Sequence, residues 1–168
     1  MVKSFAEIQK LLGLLGRSDI PVFEGSRRYL PDEKTPVDSP AARELIALAA
    51  QYSPEHPLYV VAIGAITNVA SALLLDPAIA DNIVVVWLGG HSCLWHDNNE
   101  FNCSQDVAAA RVVFGSGAPL VQLPCMGVVS GFTVTAPELR EWLMGKTPVA
   151  DYLAHNTIAA AESYAAGR

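Results

Sequence analysis

The sequence predicts an α/β fold built on an open, mostly parallel sheet with helices on both faces. Three observations carry this reading. Residues 58–63 and 83–88 are uninterrupted apolar runs rich in valine, and the pattern expects each to be a strand buried on both faces. Helix-length stretches separate the apolar runs, and crossovers of that length join parallel strands. The second run empties into Gly89-Gly90 and a polar loop, the place where open α/β sheets hold ligands.

The elements follow in order. Residues 5–15 place Phe5, Ile8, Leu11, Leu12 and Leu15 on one helical face, and Gly16 suits the end of that helix. Residues 20–23 read as a short strand before a turn at Glu24-Gly25. Residues 29–40 hold three prolines and several charges, so they form a loop. Ser39 caps a helix that carries Pro40 at its first position and reaches about Gln51. Gly64 ends the first long strand, and Thr67 or Asn68 caps a helix to about Leu75. After the second strand, Ser104 or Asp106 starts a helix to about Phe114. Residues 120–123 are a third, shorter strand, and 137–144 and 149–164 are helices. The Ala-rich stretch 159–168 has no stop signal, so the chain is expected to finish inside a helix. The alternation describes one Rossmann-like domain over residues 1–168.

Composition narrows the function. Of the 168 residues, 51% are hydrophobic and 17% charged, which excludes a disordered chain. Net charge is −6 and Lys and Arg do not cluster. A nucleic-acid groove needs such a cluster, because phosphate neutralisation supplies most of its affinity. Arg27-Arg28 is too short a run and reads as a solvated pair. No apolar run reaches the ~18–20 residues of a membrane span. Lys3, Glu7 and Lys10 break the N-terminal apolar residues at helical spacing, unlike a signal peptide. Cys93, Cys103 and Cys125 form no CxxC pair, and an odd count without a secretion signal points to reduced thiols and the cytoplasm.

Four groups of residues could carry chemistry. His91, His96, Asp97, Asn98, Asn99, Glu100 and Asn102 lie in the loop after the second strand. A carboxylate between amides suits a vicinal diol, since it accepts from hydroxyls while amides donate and accept. The same composition also describes an ordinary solvated loop. At residues 63–68, strand-end carbonyls could hold a cation and the helix start an anion, or the segment is a plain strand-to-helix turn. His91, Cys93, His96 and Cys103 are zinc-type ligands at irregular spacing, which a zinc-bound structural domain would use. Cys125-Met126-Gly127 could be a nucleophile turn, but no His and Asp companions are identifiable, so it reads as an inert thiol. His56 and His155 stand alone and read as surface or packing residues.

Several motifs together match a known pattern. Residues 61–70, VAIGAITNVA, resemble the strand-Gly-x-(Leu/Ile)-Thr-Asn-(Ile/Leu/Val)-Ala segment of the inosine-uridine-preferring nucleoside hydrolases. Asp76-Pro77 resembles that family's Glu-Pro or Asp-Pro, and Leu88-Gly89-Gly90 its Met-Gly-Gly. Glu100-Phe101-Asn102 with Asp106 and Ala109 resembles its Glu-Phe-Asn-x-x-x-Asp-x-x-Ala. The resemblance is best over residues 21–126.

The resemblance implies a partial nucleoside hydrolase fold and an enzyme that cleaves the N-glycosidic bond of ribonucleosides to ribose and free base. It implies calcium held by aspartates and a backbone carbonyl, which orients the ribose diol and activates water, with a transition state of oxocarbenium character. Mapped by motif, Ile63 offers its carbonyl to calcium, Glu100 and Asn102 hold ribose hydroxyls, and Leu88 lies beneath the ribose. Two departures stand out. The family's Asp-x-Asp-x-x-x-Asp-Asp motif is absent, and so is the C-terminal segment with its last calcium aspartate and histidine. The asparagine expected six positions before Glu100 is Leu94, for which His96, Asn98 or Asn99 could substitute. The expectation is therefore a domain truncated at both ends that holds the ribose-binding half of the site. It is not expected to retain calcium or to hydrolyse nucleosides efficiently by itself, and it is expected to self-associate or pair with a complementary fragment. The alternative is a catalytically inactive ribose- or nucleoside-binding remnant that acts as an interaction module.

Overall fold

The structure, a computed structural model, describes the backbone of residues 2–166 and the side chains of residues 3–164. The expected helical finish at residues 167–168 lies outside the described residues. Two compact units emerge, one spanning Phe23–Gly131 and the other combining Val2–Val22 with Phe132–Arg168.

The first unit is built on three parallel strands, β1 (Leu58–Ala62), β2 (Ile83–Leu88) and β3 (Leu120–Leu123), in the order β1-β2-β3. The parallel α/β architecture is the one the sequence predicts. Register pairs Val60 with Val85 and Val85 with Leu120, and Ala62 with Trp87 and Trp87 with Gln122. Helices α2 (Pro40–Ala49) and α3 (Thr67–Leu75), the short α4 (Phe101–Gln105) and α5 (Val107–Gly115) complete the unit.

The core lies on one face of the sheet. Ile83, Val85 and Trp87 point into it and are fully buried, with Leu58, Val60, Ala62 and Leu120 beside them. Ala42 and Ala49 of α2, Val69, Ala70 and Leu73 of α3, and Ala109 and Val113 of α5 close over them. Small side chains bring these helices close to the sheet, and buried apolar area supplies the driving force at roughly 25 cal/mol per Å².

Four local expectations are corrected. Residues 58–63 are not buried on both faces: Tyr59, Val61 and Ile63 are 65%, 68% and 76% exposed. The helices of the core cover one face of the sheet, so period-2 alternation puts one set of β1 side chains in the core and the other in the open. Residues 20–23 form no strand, because they join no β-ladder. Thr67 and Asn68 do not cap α3; Ile66 occupies the cap position without a side-chain bond. Instead the Asn68 Oδ1 accepts from the Ser26 N–H at 2.8 Å and the Ser26 and Ser39 hydroxyls at 3.0 and 3.3 Å. Finally, α4 is a helix where a loop was expected, because Glu100 caps it.

The caps at Ser39 and Asp106 form as expected, accepting from the Ala42 and Ala109 N–H groups. In the second unit, α1 (Val2–Leu14), α6 (Ala136–Trp142) and α7 (Pro148–Ala166) are all helices the sequence predicts. Gly16, at φ 66°, turns the chain out of α1. Leu139, Ala154 and Ile158 form a small core, and Tyr152 donates to Glu7 at 2.8 Å.

Candidate functional site at the carboxyl end of the sheet

The polar loop is organised by one carboxylate. Glu100 is 4% exposed. Its Oε1 accepts from the Asn102 N–H, and its Oε2 accepts from the N–H groups of Gly90 and Cys103, each at 2.9 Å. The last two turns of sequence around it explain the arrangement. Extended backbone at Glu100 exposes the first amides of α4, and a carboxylate at that position satisfies them with favourable charge. The bond to Gly90 reaches back ten residues to the strand end, where the Asn102 Nδ2 also donates to the Leu88 carbonyl at 2.9 Å. Glu100 and Asn102 thus clamp the start of α4 onto the end of β2.

The glycines are required by this packing. A Cβ on Gly89 would lie 2.2 Å from the Trp87 ring. Gly90 has φ 74°, and a Cβ there would meet the Asn98 Oδ1 at 2.8 Å and the Gln122 Nε2 at 2.9 Å. The loops after β2 and β3 are stitched together beyond the strands. The Cys125 N–H donates to the Gly90 carbonyl, the Ser92 N–H to the Met126 carbonyl, and the Gln122 Nε2 to the Gly89 carbonyl, at 2.9, 3.0 and 2.9 Å. The Met126 N–H donates to the His91 Nδ1 at 3.2 Å.

The remaining predicted residues fall around this clamp. The Asn98 Oδ1 accepts from the His91 N–H at 2.6 Å, and the Asn99 Oδ1 accepts from the Ser104 hydroxyl at 3.0 Å. His96 faces Asp97 at 2.8 Å and is mostly exposed. Leu88 is half-buried. Ile63, at the end of β1, is exposed, and the following Gly64 carbonyl accepts from the Trp87 Nε1 at 2.9 Å. Asp106 forms a second buried anchor: it accepts from the Thr67 hydroxyl at 2.6 Å and from the Leu30 and Ala109 N–H groups at 3.0 and 2.9 Å. Gln122 was not among the sequence candidates. Its signal was present: it is the one polar residue in the strand LVQL.

Neither metal reading gains a donor set. Among the described residues, no three His, Cys, Asp or Glu groups are brought together. Calcium takes about six to eight oxygens. The Glu100 and Asp106 carboxylates already accept three donors each. The described residues therefore do not fit calcium unaided. For zinc, Cys103 is buried, and burial, reinforced by the Glu100 carboxylate, pushes its thiol up, away from the thiolate a metal requires. A groove elsewhere on this unit, lined by Leu73, Leu74 and Val112, has its rim charges neutralised by the Arg111–Glu33 pair at 2.9 Å.

Comparison with known proteins adds a second line. The profile of the family described as inosine-uridine preferring nucleoside hydrolase matches residues 1–167. The chain is similar to the pyrimidine-specific ribonucleoside hydrolase RihA of Citrobacter koseri, 35% identical over 143 residues, covering 71% of this chain and 46% of the relative. It is 34% identical over 143 residues to that of an Enterobacter species, covering 71% and 45%. It is 33% identical over 142 residues to that of Shewanella woodyi, covering 70% and 45%. The chain thus spans just under half the length of the curated relatives it matches.

Proposed function

Because this chain belongs to the inosine-uridine preferring nucleoside hydrolase family, we propose that it supplies the ribose-holding half of a site that cleaves a ribonucleoside to ribose and free base. The observation that carries this reading is the Glu100–Asn102 clamp at the end of β2. A carboxylate has about four lone-pair positions. Three of those on Glu100 are taken by N–H groups, which leaves one for a sugar hydroxyl. Asn102 commits its nitrogen to Leu88, so its oxygen is the atom that accepts from a second hydroxyl. Leu88 offers the apolar surface beneath the ring, and His96, Asn98 and Asn99 border the loop where the 5′-hydroxyl would lie.

Hydrolysis needs more than this half. Water must lose a proton to a base as the glycosidic bond breaks, and the developing positive charge on the sugar needs a carboxylate. Glu100 is committed to amides, and Asp97 faces His96 in the exposed loop. We therefore assign binding to this chain and place the base, and any calcium, on carboxylates beyond its described residues. A ribose-binding remnant without catalysis is the second reading, and it rests on the same committed carboxylates. Among the described residues no helix is long and apolar enough to cross a membrane. The three cysteines are free thiols. Free thiols suit a reducing compartment, and we propose the cytoplasm on that ground.

The test is calorimetric binding of ribose and of uridine, cytidine and inosine, alongside chromatographic detection of released base. The pyrimidine-specific relatives make uridine and cytidine the first compounds to try. The expected result is weak binding that Asn102→Ala abolishes, with base release no faster than in buffer. Robust base release would overturn the division of labour, and absence of any sugar binding would overturn the site.

A further inference from the structure

The loop after β2 holds one histidine at three points. Of residues 91–99 only His91 and Ser92 are partly buried, and the others are exposed. The Ser92 hydroxyl is used inside the loop, where it accepts from the Leu94 N–H at 3.3 Å. His91 is fixed from outside as well. Its N–H donates to the Asn98 Oδ1 at 2.6 Å, its Nδ1 accepts from the Met126 N–H at 3.2 Å, and its ring lies 6.0 Å from that of Trp95, tilted by 60°. A backbone N–H can only donate. The Nδ1 in this bond therefore carries no proton, and the proton of the neutral ring sits on Nε2. Among the described residues nothing accepts from that Nε2–H. No fully buried side-chain nitrogen or oxygen among them lacks a partner, so the Nε2 edge is open to solvent and to a ligand.

The surroundings say which kind of oxygen such a donor meets. Between Arg43 and Arg140 the one Lys or Arg is Arg111, and it pairs with Glu33 at 2.9 Å. The loops after β2 and β3 thus contain no Lys or Arg, while Asp97 and Glu100 bring negative charge. A phosphate is repelled there and an uncharged hydroxyl is not. Counting hydroxyls points the same way. A ribonucleoside has three, and the acceptors on Glu100 and Asn102 serve the vicinal pair. The third, on the exocyclic carbon, is left for a donor. His91 follows Gly90, whose N–H is bonded to Glu100 at 2.9 Å, so the imidazole starts one residue from the clamp.

We propose that His91 is a specificity-determining residue of this site, whose Nε2–H donates to the 5′-hydroxyl oxygen of a nucleoside held by Glu100 and Asn102. The inference rests on the ribose-holding reading above and adds the third hydroxyl to it. Because the ring is already held by Met126, Asn98 and Trp95, little side-chain freedom is lost when the ligand arrives.

The experiment is calorimetric binding of uridine, 2′-deoxyuridine, 5′-deoxyuridine and uridine 5′-phosphate to the purified chain and two variants. His91→Asn sets an oxygen near the place of Nδ1, so it keeps an acceptor for the Met126 N–H and loses the Nε2–H. His91→Gln does the reverse, because its amide nitrogen reaches the place of Nε2. His91→Asn is expected to bind uridine about tenfold more weakly, the worth of one neutral hydrogen bond, and to bind 5′-deoxyuridine as the parent does. His91→Gln should stay within about threefold of the parent for uridine. Hydrogen exchange at the Met126 amide should be unchanged in His91→Asn and faster in His91→Gln. A purely structural role for His91 predicts the opposite ranking of the two variants in binding, and that ranking overturns the proposal. So does a loss in His91→Asn that 5′-deoxyuridine shares, a loss tied to the 2′-hydroxyl instead, or uridine 5′-phosphate binding as tightly as uridine. Should His91→Asn lose the folded circular-dichroism spectrum, the parent decides: clear preference for uridine over 5′-deoxyuridine, kept in His91→Gln, supports the contact, and equal binding refutes it. A parent that binds no nucleoside sinks the ribose-holding reading and this inference together. Uridine binding that Asn102→Ala abolishes and His91→Asn leaves unchanged sinks this inference alone.

Discussion

At Glu100 the sequence and the structure read the same residue in two ways. As a sequence feature it is a carboxylate between amides, a ligand for hydroxyls. In the fold it is first a helix cap and a tether for Gly90. The proposed sugar-binding role is compatible with the cap only because three donors leave one lone-pair position free. Glu100→Gln tests this. A glutamine offers one oxygen and one NH2, so at least one of the Gly90, Asn102 and Cys103 amides must then face another donor. The expected loss is about 2–4 kcal/mol in urea unfolding, because hydrogen bonds to charged groups are strong and an unmet buried donor is costly. Hydrogen exchange at the Gly90 amide should accelerate with it. A loss under ~0.5 kcal/mol would show that the carboxylate is not holding the loop. Thr67 and Asp106 carry the same lesson: motif residues read as helix starts are bonded to one another, and Asp106 to Leu30. Their spacing reveals the family, but only the fold reveals that they face each other.

Elements were legible where a local signal sets them. Ser39-Pro40 and Asp106 each announce a helix, because a cap needs only residues within one turn. What a strand faces is a tertiary property, and periodicity cannot see it. The run at 58–63 is apolar on both sides, yet the core packs against only one of them and leaves Tyr59 and Val61 open. Residues 20–23 have strand composition and no partner in the ladder. At α2 the local and tertiary signals meet: the Ser39 hydroxyl accepts from the Ala42 N–H at 3.2 Å and donates to the Asn68 Oδ1 at 3.3 Å. Ser39→Ala removes both, and an expected loss of about 1–2 kcal/mol follows from the cap and the shared bond. Ser39→Asp keeps the cap but sets a carboxylate against the Asn68 oxygen, so its stability should fall between parent and alanine. Chemical denaturation of the three proteins checks the order; an aspartate variant as weak as alanine would mean that the clash with Asn68 outweighs what the cap contributes.

For the whole molecule, stability against pH follows from which groups the fold perturbs. Asp19, Asp32, Glu55 and Glu138 are held below the ordinary carboxylate range. Arg17 does this for Asp19, the Lys34 N–H leads for Asp32, Glu55's own backbone N–H for Glu55, and the Thr135 hydroxyl for Glu138. A lowered acid binds protons more tightly in the unfolded chain than in the folded one. Stability therefore rises with pH through this window, and what these groups contribute is present above about pH 4–4.5 and lost as pH falls through their lower folded values. Asp19, Asp32 and Glu55 are exposed and Glu138 is partly so, so the acid limb is shallow and salt weakens it where Arg17 is the partner. Cys103 acts at the other end. Its raised thiol contributes stability below the ordinary thiol value of about 8.5 and loses it as pH climbs through the folded value. The arginines of the exposed pairs, Arg17, Arg27 and Arg43, are raised as well, but stay charged throughout this range. Urea midpoints measured from pH 3 to 10 should then form a plateau between about pH 5 and 8, falling gently below and again above. Cys103→Ala should flatten the alkaline limb alone, and Glu138→Gln should flatten part of the acid limb alone. A midpoint that rises as pH drops from 5 to 3 would contradict the direction of all four carboxylate shifts at once.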